Sequence, residues 1–321
     1  MSAWPRVAVV AAVMLASVAS HAAEQAPANA TDAEQTPDPM DSAFSAFQLG
    51  YYLTALREAS PLAQQGNATA QTLLGEIYGR GLGVAKSPGT AAGWYAKAAD
   101  QGDPEAQAAL GLMYARGDGV PKDLHKAAAL FDRAAAQGQA AAQYNLGLLF
   151  IEGEVRPRDI KHAAELFRMA ALQDHLEAQY NLGVLYQEGV GIDKDLAEAA
   201  KWIGLAAQQG LSDAALDYGL MVFKGEGVQK DEKTGAAWLK RAAEAGNPIA
   251  QNRLALLYAN GRGVSMDPVE AAKWHLLARA GGKSDAFLDG FLETLPPEQR
   301  AKAETAAADW SRNQPLAVLP N

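Results

Sequence analysis

The chain has 321 residues, 49% of them hydrophobic and 20% charged, with a formal net charge of -9 at neutral pH and no cysteine. The acidic balance disfavours nucleic acid and anionic membranes as main partners, because both attract basic surfaces. The lack of cysteine excludes disulfide bonds, thiolate catalysis and cysteine-ligated zinc, so a folded chain of this composition must be stabilised by packing.

Residues 1–22 have the pattern of a secretory signal peptide: Arg6, an apolar stretch over residues 7–18, and small residues around Ala22. A membrane anchor is disfavoured, because a bilayer span needs ~20 apolar residues. We therefore expect cleavage after Ala22, a periplasmic or secreted protein, and no integral membrane segment after cleavage. Residues 23–40 are rich in Ala, Pro and acidic or amide side chains, which predicts a disordered linker.

Glycines recur with a period of 36 residues from Gly66 to Gly282, and two further glycine series with the same period begin at Gly75 and Gly81. A fixed period of this length is the signature of a stacked repeat protein. Six complete units are predicted, at 67–102, 103–138, 139–174, 175–210, 211–246 and 247–282.

Each unit has the start and stop signals of two helices, as the second unit illustrates. Asp103 and Pro104 are suited to begin the first helix, and Gly117 is suited to end it. Asp123 is placed to cap the second helix, which Gly138 ends. The residues that correspond to Asp123 are also aspartates, at Asp159, Asp195, Asp231 and Asp267. Glu198 and Glu270, each three residues after Asp195 or Asp267, predict capping boxes at these two helices.

Large and small apolar residues also recur in register. Alanine pairs such as Ala134-Ala135 precede the glycine that ends most units, which predicts close helix contacts. One series at the same period holds only tryptophan or leucine, and it predicts interhelical core in preference to a ligand cage. Its members are Trp94, Leu130, Leu166, Trp202, Trp238 and Trp274.

The sequence ALGLMYARGDGVPKD, followed by KAAALFDRAAAQG and copied closely in the other units, resembles the Sel-one-like repeat, a relative of the tetratricopeptide repeat. The resemblance covers about two thirds of the chain. It implies an all-α fold, a right-handed α-solenoid of antiparallel helix pairs that holds partners on its concave side.

Helical caps are expected at both ends, because a terminal repeat would otherwise expose its apolar face. Residues 41–66 are predicted to form a helix pair broken at Gly50, and 283–312 two helices divided at Pro296-Pro297, with a loose tail at 313–321.

The third unit departs from the pattern. Val155 replaces the second turn glycine, Arg156 the following valine and Asp174 the terminal glycine. A valine is poorly suited to positive φ, so the turn before Asp159 is predicted to be distorted.

No constellation in the sequence indicates catalysis, a metal or a cofactor. The glycine-rich turns lack the ending of a phosphate-binding loop and follow no strand. The five histidines show no metal-ligand spacing, and no nucleophile-elbow sequence is present. The sequence does not exclude a pair of catalytic carboxylates, because such a pair is defined by its geometry, which sequence spacing does not reveal.

We expect a groove for an extended peptide along the exposed side of the first helices, which faces the concave surface in the related repeats. The alternative for each residue is solvated helix surface or packing between repeats. The predicted partner-binding residues are Tyr144, Asn145, Tyr180, Asn181, Asp217, Asn252 and Arg253.

These patterns favour an exported scaffold or adaptor that binds a protein or peptide, in an envelope complex or as a regulator of a sensor kinase, and that is not an enzyme. The rival hypothesis is an envelope enzyme of the β-lactamase or penicillin-binding type, proposed for cysteine-rich relatives. The missing cysteines weaken that analogy. A third alternative is a purely structural spacer.

Overall fold

A computed structural model describes residues 38–313 of the chain, and every regular element in that range is a helix. The described residues form two compact units, one that ends at Gln173 and one that begins at Asp174. The predicted signal peptide, nearly all of the predicted linker and most of the predicted tail lie outside the described residues.

The unit that ends at Gln173 contains eight helices. They are α1 (Pro39–Gln48), α2 (Tyr52–Gln64), α3 (Ala68–Arg80), α4 (Pro88–Asp100), α5 (Pro104–Arg116), α6 (Leu124–Ala136), α7 (Ala140–Glu152) and α8 (Ile160–Ala171). Consecutive helices pack against each other throughout this unit, as the repeat pattern predicts for a solenoid.

The unit that begins at Asp174 also contains eight helices. They are α9 (Leu176–Glu188), α10 (Leu196–Gln208), α11 (Ser212–Lys224), α12 (Glu232–Glu244), α13 (Pro248–Asn260), α14 (Pro268–Ala280), α15 (Ala286–Thr294) and α16 (Pro297–Asn313). Here consecutive helices from α9 to α15 pack in series, and α16 folds back onto α14. The prediction of an all-α solenoid built from helix pairs is confirmed.

The predicted helix boundaries are confirmed by the local hydrogen bonds. The Asp103 carboxylate accepts from the amide of Ala106, and α5 ends at Gly117, which adopts the left-handed conformation with φ 79°. All five aspartates predicted to begin second helices accept hydrogen bonds from backbone amides of the first turn. These side chains satisfy amide groups that have no partner within the helix.

The third unit differs from the others at the predicted turn. The second turn glycine has φ between 68° and 76° in the other five repeats, whereas Val155 is not in the left-handed region. Arg156 instead donates to the Asp132 carboxylate, and its guanidinium lies 5.4 Å from the centre of the Phe150 ring. Asp174 keeps the left-handed conformation of the glycine that it replaces, with φ 62°.

The core is built from small residues set against large ones. Ala134 and Ala135 are buried, as are the other alanine pairs of the series. Gly111 faces the buried ring of Phe131 so closely that an added Cβ would lie 2.7 Å from a ring carbon. The glycine therefore leaves the space that the large side chain fills, and both positions recur with the period of 36 residues.

Only some members of the tryptophan and leucine series are buried in the core. Trp202 and Trp274 are buried, and their indole Nε1 atoms donate to Glu198 at 2.9 Å and to Glu270 at 2.8 Å. In each predicted capping box the aspartate accepts from the amides of the first turn, as expected. The glutamate accepts from the tryptophan indole, so the second bond of the box does not form. Trp94 is only half-buried, with the Lys97 ammonium 4.1 Å from the centre of its ring.

Both ends carry extra helices. α1 begins at Pro39, inside the predicted linker, and forms a pair with α2. α15 and α16 are divided at Pro296-Pro297, as predicted, and Trp310 contacts Trp274 edge to face at 5.9 Å. Within residues 38–313, none of the helices is both long and apolar enough to cross a membrane.

Candidate functional surface on the first helices

The seven predicted partner-binding residues occupy two adjacent positions of the repeat on the first helices. Tyr144, Tyr180 and Asn252 share one position, and Asn145, Asn181, Asp217 and Arg253 share the next. They belong to α7, α9, α11 and α13.

In the unit that ends at Gln173, the two predicted residues on α7 lie in different environments. Tyr144 is buried, with its ring centre 5.6 Å from that of Phe167. Asn145 is half-buried, and its Nδ2 donates to the carbonyl of Ala141 at 2.7 Å. Only Asn145 therefore presents appreciable surface to a partner.

In the unit that begins at Asp174, the structure brings two predicted residues into direct contact. The Tyr180 hydroxyl donates to Oδ2 of Asp217 at 2.9 Å, which links α9 to α11. Asp217 is half-buried, whereas Tyr180 and its neighbour Asn181 are buried.

The two predicted residues on α13 are the most available to a partner. Arg253 is exposed and forms no ion pair with the residues that the structure describes. Asn252 is half-buried, and its amide nitrogen is buried without a hydrogen-bond partner in the described range. A buried donor without a partner is costly in a folded protein, and because the nitrogen itself has no accessible surface, only the rest of the half-buried side chain is open to a partner.

The predicted residues therefore divide by exposure. For Tyr144, Tyr180 and Asn181, burial favours the alternative of packing between repeats, because these side chains have little surface to offer. Asn145, Asp217, Asn252 and Arg253 keep accessible surface. Their binding role stays a prediction.

Metal-binding groups do not converge in the described part of the chain: residues 38–313 hold no cluster of three His, Asp or Glu side chains suited to a metal ion. The most deeply buried histidine, His275, lies with Nε2 2.8 Å from Oδ1 of Asp289. This contact joins α14 to α15.

Sequence reasoning missed a series of buried glutamines. Gln71, Gln107, Gln143, Gln179 and Gln251 recur with the repeat period and are almost fully buried. Four of them, at 71, 107, 143 and 251, donate to a backbone carbonyl eight residues earlier in the chain. Their recurrence was the available signal, because a polar residue that repeats at a fixed period indicates a structural contact common to those repeats.

Sequence reasoning also missed a cavity of about 720 Å³ in the fifth repeat. It lies between α11, α12 and the loop that joins them. Residues that line it include Tyr218, Val222, Val228, Lys230, Asp231 and Thr234. The available signal was Val222, which stands where the other five repeats carry an aromatic ring.

Known proteins share both the repeat and the fold. The Sel1 repeat matches six consecutive segments, at 68–103, 104–139, 140–175, 176–211, 212–247 and 248–283, each one residue later than the predicted units. No significant match was found among curated proteins.

Two solved structures are similar over most of the chain. A Sel1 repeat protein from Oxalobacter formigenes is 30% identical, with a TM-score of 0.66, over 78% of this chain and 98% of that one. A protective antigen with an SLR fold, present in uropathogenic Escherichia coli strains, is 26% identical with a TM-score of 0.56, over 88% of this chain and 72% of that one. By its six repeats and its fold, this chain belongs to the Sel1 repeat family.

Proposed function

We propose that this protein is an exported interaction scaffold that binds a protein or peptide partner along the first helices of its repeats. The repeat family supports the general role, because a Sel1 repeat fold generally serves as a scaffold for protein interactions. The signal-peptide pattern of residues 1–22 supports export to the periplasm or the medium. The proposal includes no catalytic activity.

The observation that carries the proposal is the hydrogen bond from Tyr180 to Asp217. It links corresponding regions of successive first helices, so the polar positions of neighbouring repeats follow one another along a wall. Arg253 continues this series one repeat later as an exposed cation. A rigid wall with amide, carboxylate and guanidinium groups in register suits an extended peptide, whose backbone repeats donors and acceptors.

Asn252 is the half-buried polar neighbour of Arg253 on this wall. Its buried Nδ2 has no hydrogen-bond partner in residues 38–313, and the corresponding residue one repeat earlier is Leu216. Asn252→Leu therefore replaces the amide by a residue that this position accepts elsewhere in the chain. We expect the fold to be retained and the partner to bind more weakly.

In-cell crosslinking of the full chain in its native host, followed by affinity purification and mass spectrometry, tests the proposal. We expect a stoichiometric envelope protein with wild type and at least a tenfold lower yield with Arg253→Glu or Asn252→Leu. Lys161→Glu is the matched control, because Lys161 is an exposed cation on the second helix α8 and the charge change equals that of Arg253→Glu.

A structural spacer would yield no saturable partner, and equal yields from all four proteins would contradict the proposed surface. Hydrolysis of nitrocefin by the purified wild-type chain, above the rate of a buffer blank, would instead support the enzyme hypothesis.

A further inference from the structure

One position of the repeat carries an aromatic ring in five repeats and lacks it in the fifth. The aromatic residues are Tyr78, Tyr114, Phe150, Tyr186 and Tyr258, and the residue in register with them is Val222. Each lies near the end of a first helix, two residues before its last residue. The exchange removes a whole ring from one repeat.

The surroundings of the ring are visible in the second and third repeats. The Lys126 ammonium lies 5.1 Å from the centre of the Tyr114 ring. The His162 ring packs edge to face on Phe150, with 4.7 Å between ring centres. Lys126 and His162 are corresponding residues, each the third of its second helix. The aromatic ring therefore fills the space between the end of the first helix and the start of the second.

In the fifth repeat both sides of this space are small. The residue that corresponds to Lys126 and His162 is Thr234, the third residue of α12. Val222 and Thr234 both line the cavity of about 720 Å³. The cavity therefore includes the place that a tyrosine or phenylalanine ring occupies in the neighbouring repeats.

The lining combines apolar and aromatic surface with polar side chains, among them Gln229. The Tyr218 ring is held edge to face by Trp238, with 5.4 Å between ring centres, and Val228 adds an apolar contact surface. Asp231 is already engaged, because its carboxylate accepts from the Thr234 hydroxyl at 2.6 Å and from two backbone amides. The Lys230 ammonium lies 3.1 Å from the Glu232 carboxylate.

We propose that the cavity of the fifth repeat binds a tyrosine or phenylalanine side chain of a protein partner, which takes the place of the ring that the other repeats supply themselves. This inference rests on the proposed scaffold function for the source of the ring. The volume exceeds that of a single ring, so the residues that flank the aromatic side chain in the partner can also enter.

Titration of the full chain with N-acetyl-tyrosine amide and N-acetyl-phenylalanine amide, followed by methyl NMR, tests the inference. We expect saturable shifts of the Val228 and Thr234 methyl signals with wild type. N-acetyl-leucine amide, which lacks the ring, should bind at least tenfold more weakly. Shifts that do not saturate, or equal affinity for the leucine probe, would overturn the inference.

Two variants test the same cavity from opposite directions. Val222→Tyr restores the ring and should weaken binding of both aromatic probes at least tenfold, with the melting temperature unchanged or raised. The double variant Tyr114→Val/Lys126→Thr should create a corresponding cavity in the second repeat and a second set of saturable shifts at Val120. Two results would contradict the proposal that the cavity takes the place of a ring: a folded Val222→Tyr chain that binds the probes as tightly as wild type, or a double variant that shows no new binding site.

The outcome separates this inference from the proposed function. If crosslinking captures a partner but the probes do not bind, the cavity proposal is contradicted and the scaffold proposal is supported. If the probes bind but no partner is captured, the aromatic site is supported and the scaffold proposal is contradicted.

Discussion

Gln137, which follows α6, and Gln107 on α5 are joined within the second repeat: Nε2 of Gln137 donates to Oε1 of Gln107 at 3.0 Å. The same bond recurs at Gln101–Gln71, Gln173–Gln143 and Gln209–Gln179, with lengths between 2.8 and 2.9 Å. In the fifth repeat both corresponding positions are alanine, at Ala215 and Ala245. Donor and acceptor are thus absent together, which avoids a buried polar group without a partner.

This pairing predicts strong coupling between the two glutamines. Gln137→Ala should destabilise the chain by about 1 to 3 kcal/mol, because it leaves the buried Oε1 of Gln107 without its donor. The double variant Gln107→Ala/Gln137→Ala, which reproduces the alanine pair of the fifth repeat, should cost less than the sum of the two single changes. Urea unfolding followed by circular dichroism measures the cycle. Strictly additive losses would show that the bond contributes no coupling.

The helix boundaries could be predicted because their signals are local. Asp123 and Gly117 act on amides and carbonyls within a few residues of their own position. Their side chains or backbone angles are therefore decided by the sequence around them.

The exposure of the first-helix residues could not be predicted in the same way. Asn145 and Asn181 are in register and chemically identical, yet one is half-buried and the other is buried. Which side of a helix faces solvent depends on how neighbouring repeats pack, and a polar side chain does not reveal it. The cavity of the fifth repeat is lined by two small residues, Val222 and Thr234, that lie on different helices and come together only when α11 packs against α12.

The contact between Gly111 and Phe131 predicts opposite effects for two glycine substitutions. Gly111→Ala should destabilise the chain by about 1 to 2 kcal/mol, because overpacking against the buried ring outweighs the gain in helix propensity. Gly93 on α4 has nothing within 4 Å of an added Cβ, so Gly93→Ala should stabilise by up to ~1 kcal/mol. Urea midpoints of both variants check the pair. A stabilised Gly111→Ala chain would show that the ring can move away.

Leu211 is the one residue at the start of a repeat's first helix that forms no side-chain cap among the described helices α3, α5, α7, α9, α11 and α13. Its backbone angles, φ -67° and ψ 115°, match those of the capping residue Asn247, with φ -68° and ψ 114°. Leu211→Asn should therefore be more stable than Leu211→Ala by about 1 kcal/mol. The alanine variant removes the same apolar side chain without adding a cap. Equal melting temperatures for the two would mean that no capping bond forms.

His175 predicts a pH dependence of stability. Burial lowers the pKa of this histidine from 6.5 to about 4, so between these values the unfolded chain binds the proton more readily than the folded chain. The free energy of unfolding should therefore rise with pH across this window, by at most about 3 kcal/mol from this residue.

His175→Asn isolates that contribution. Nδ1 of His175 accepts from the amide of Ala178 at 3.4 Å, and Asn67 caps the corresponding helix α3 through its side chain, so asparagine keeps the cap while it removes the titrating group. Burial also raises the pKa of the nearby Glu177 carboxyl, which acts in the opposite direction, because the folded chain then binds that proton more readily. The difference between wild type and His175→Asn removes most of this term, since both chains retain Glu177. Urea unfolding at a series of pH values from 4 to 7 should show a steeper rise for wild type. Parallel pH profiles would mean that His175 titrates alike in the folded and unfolded chains.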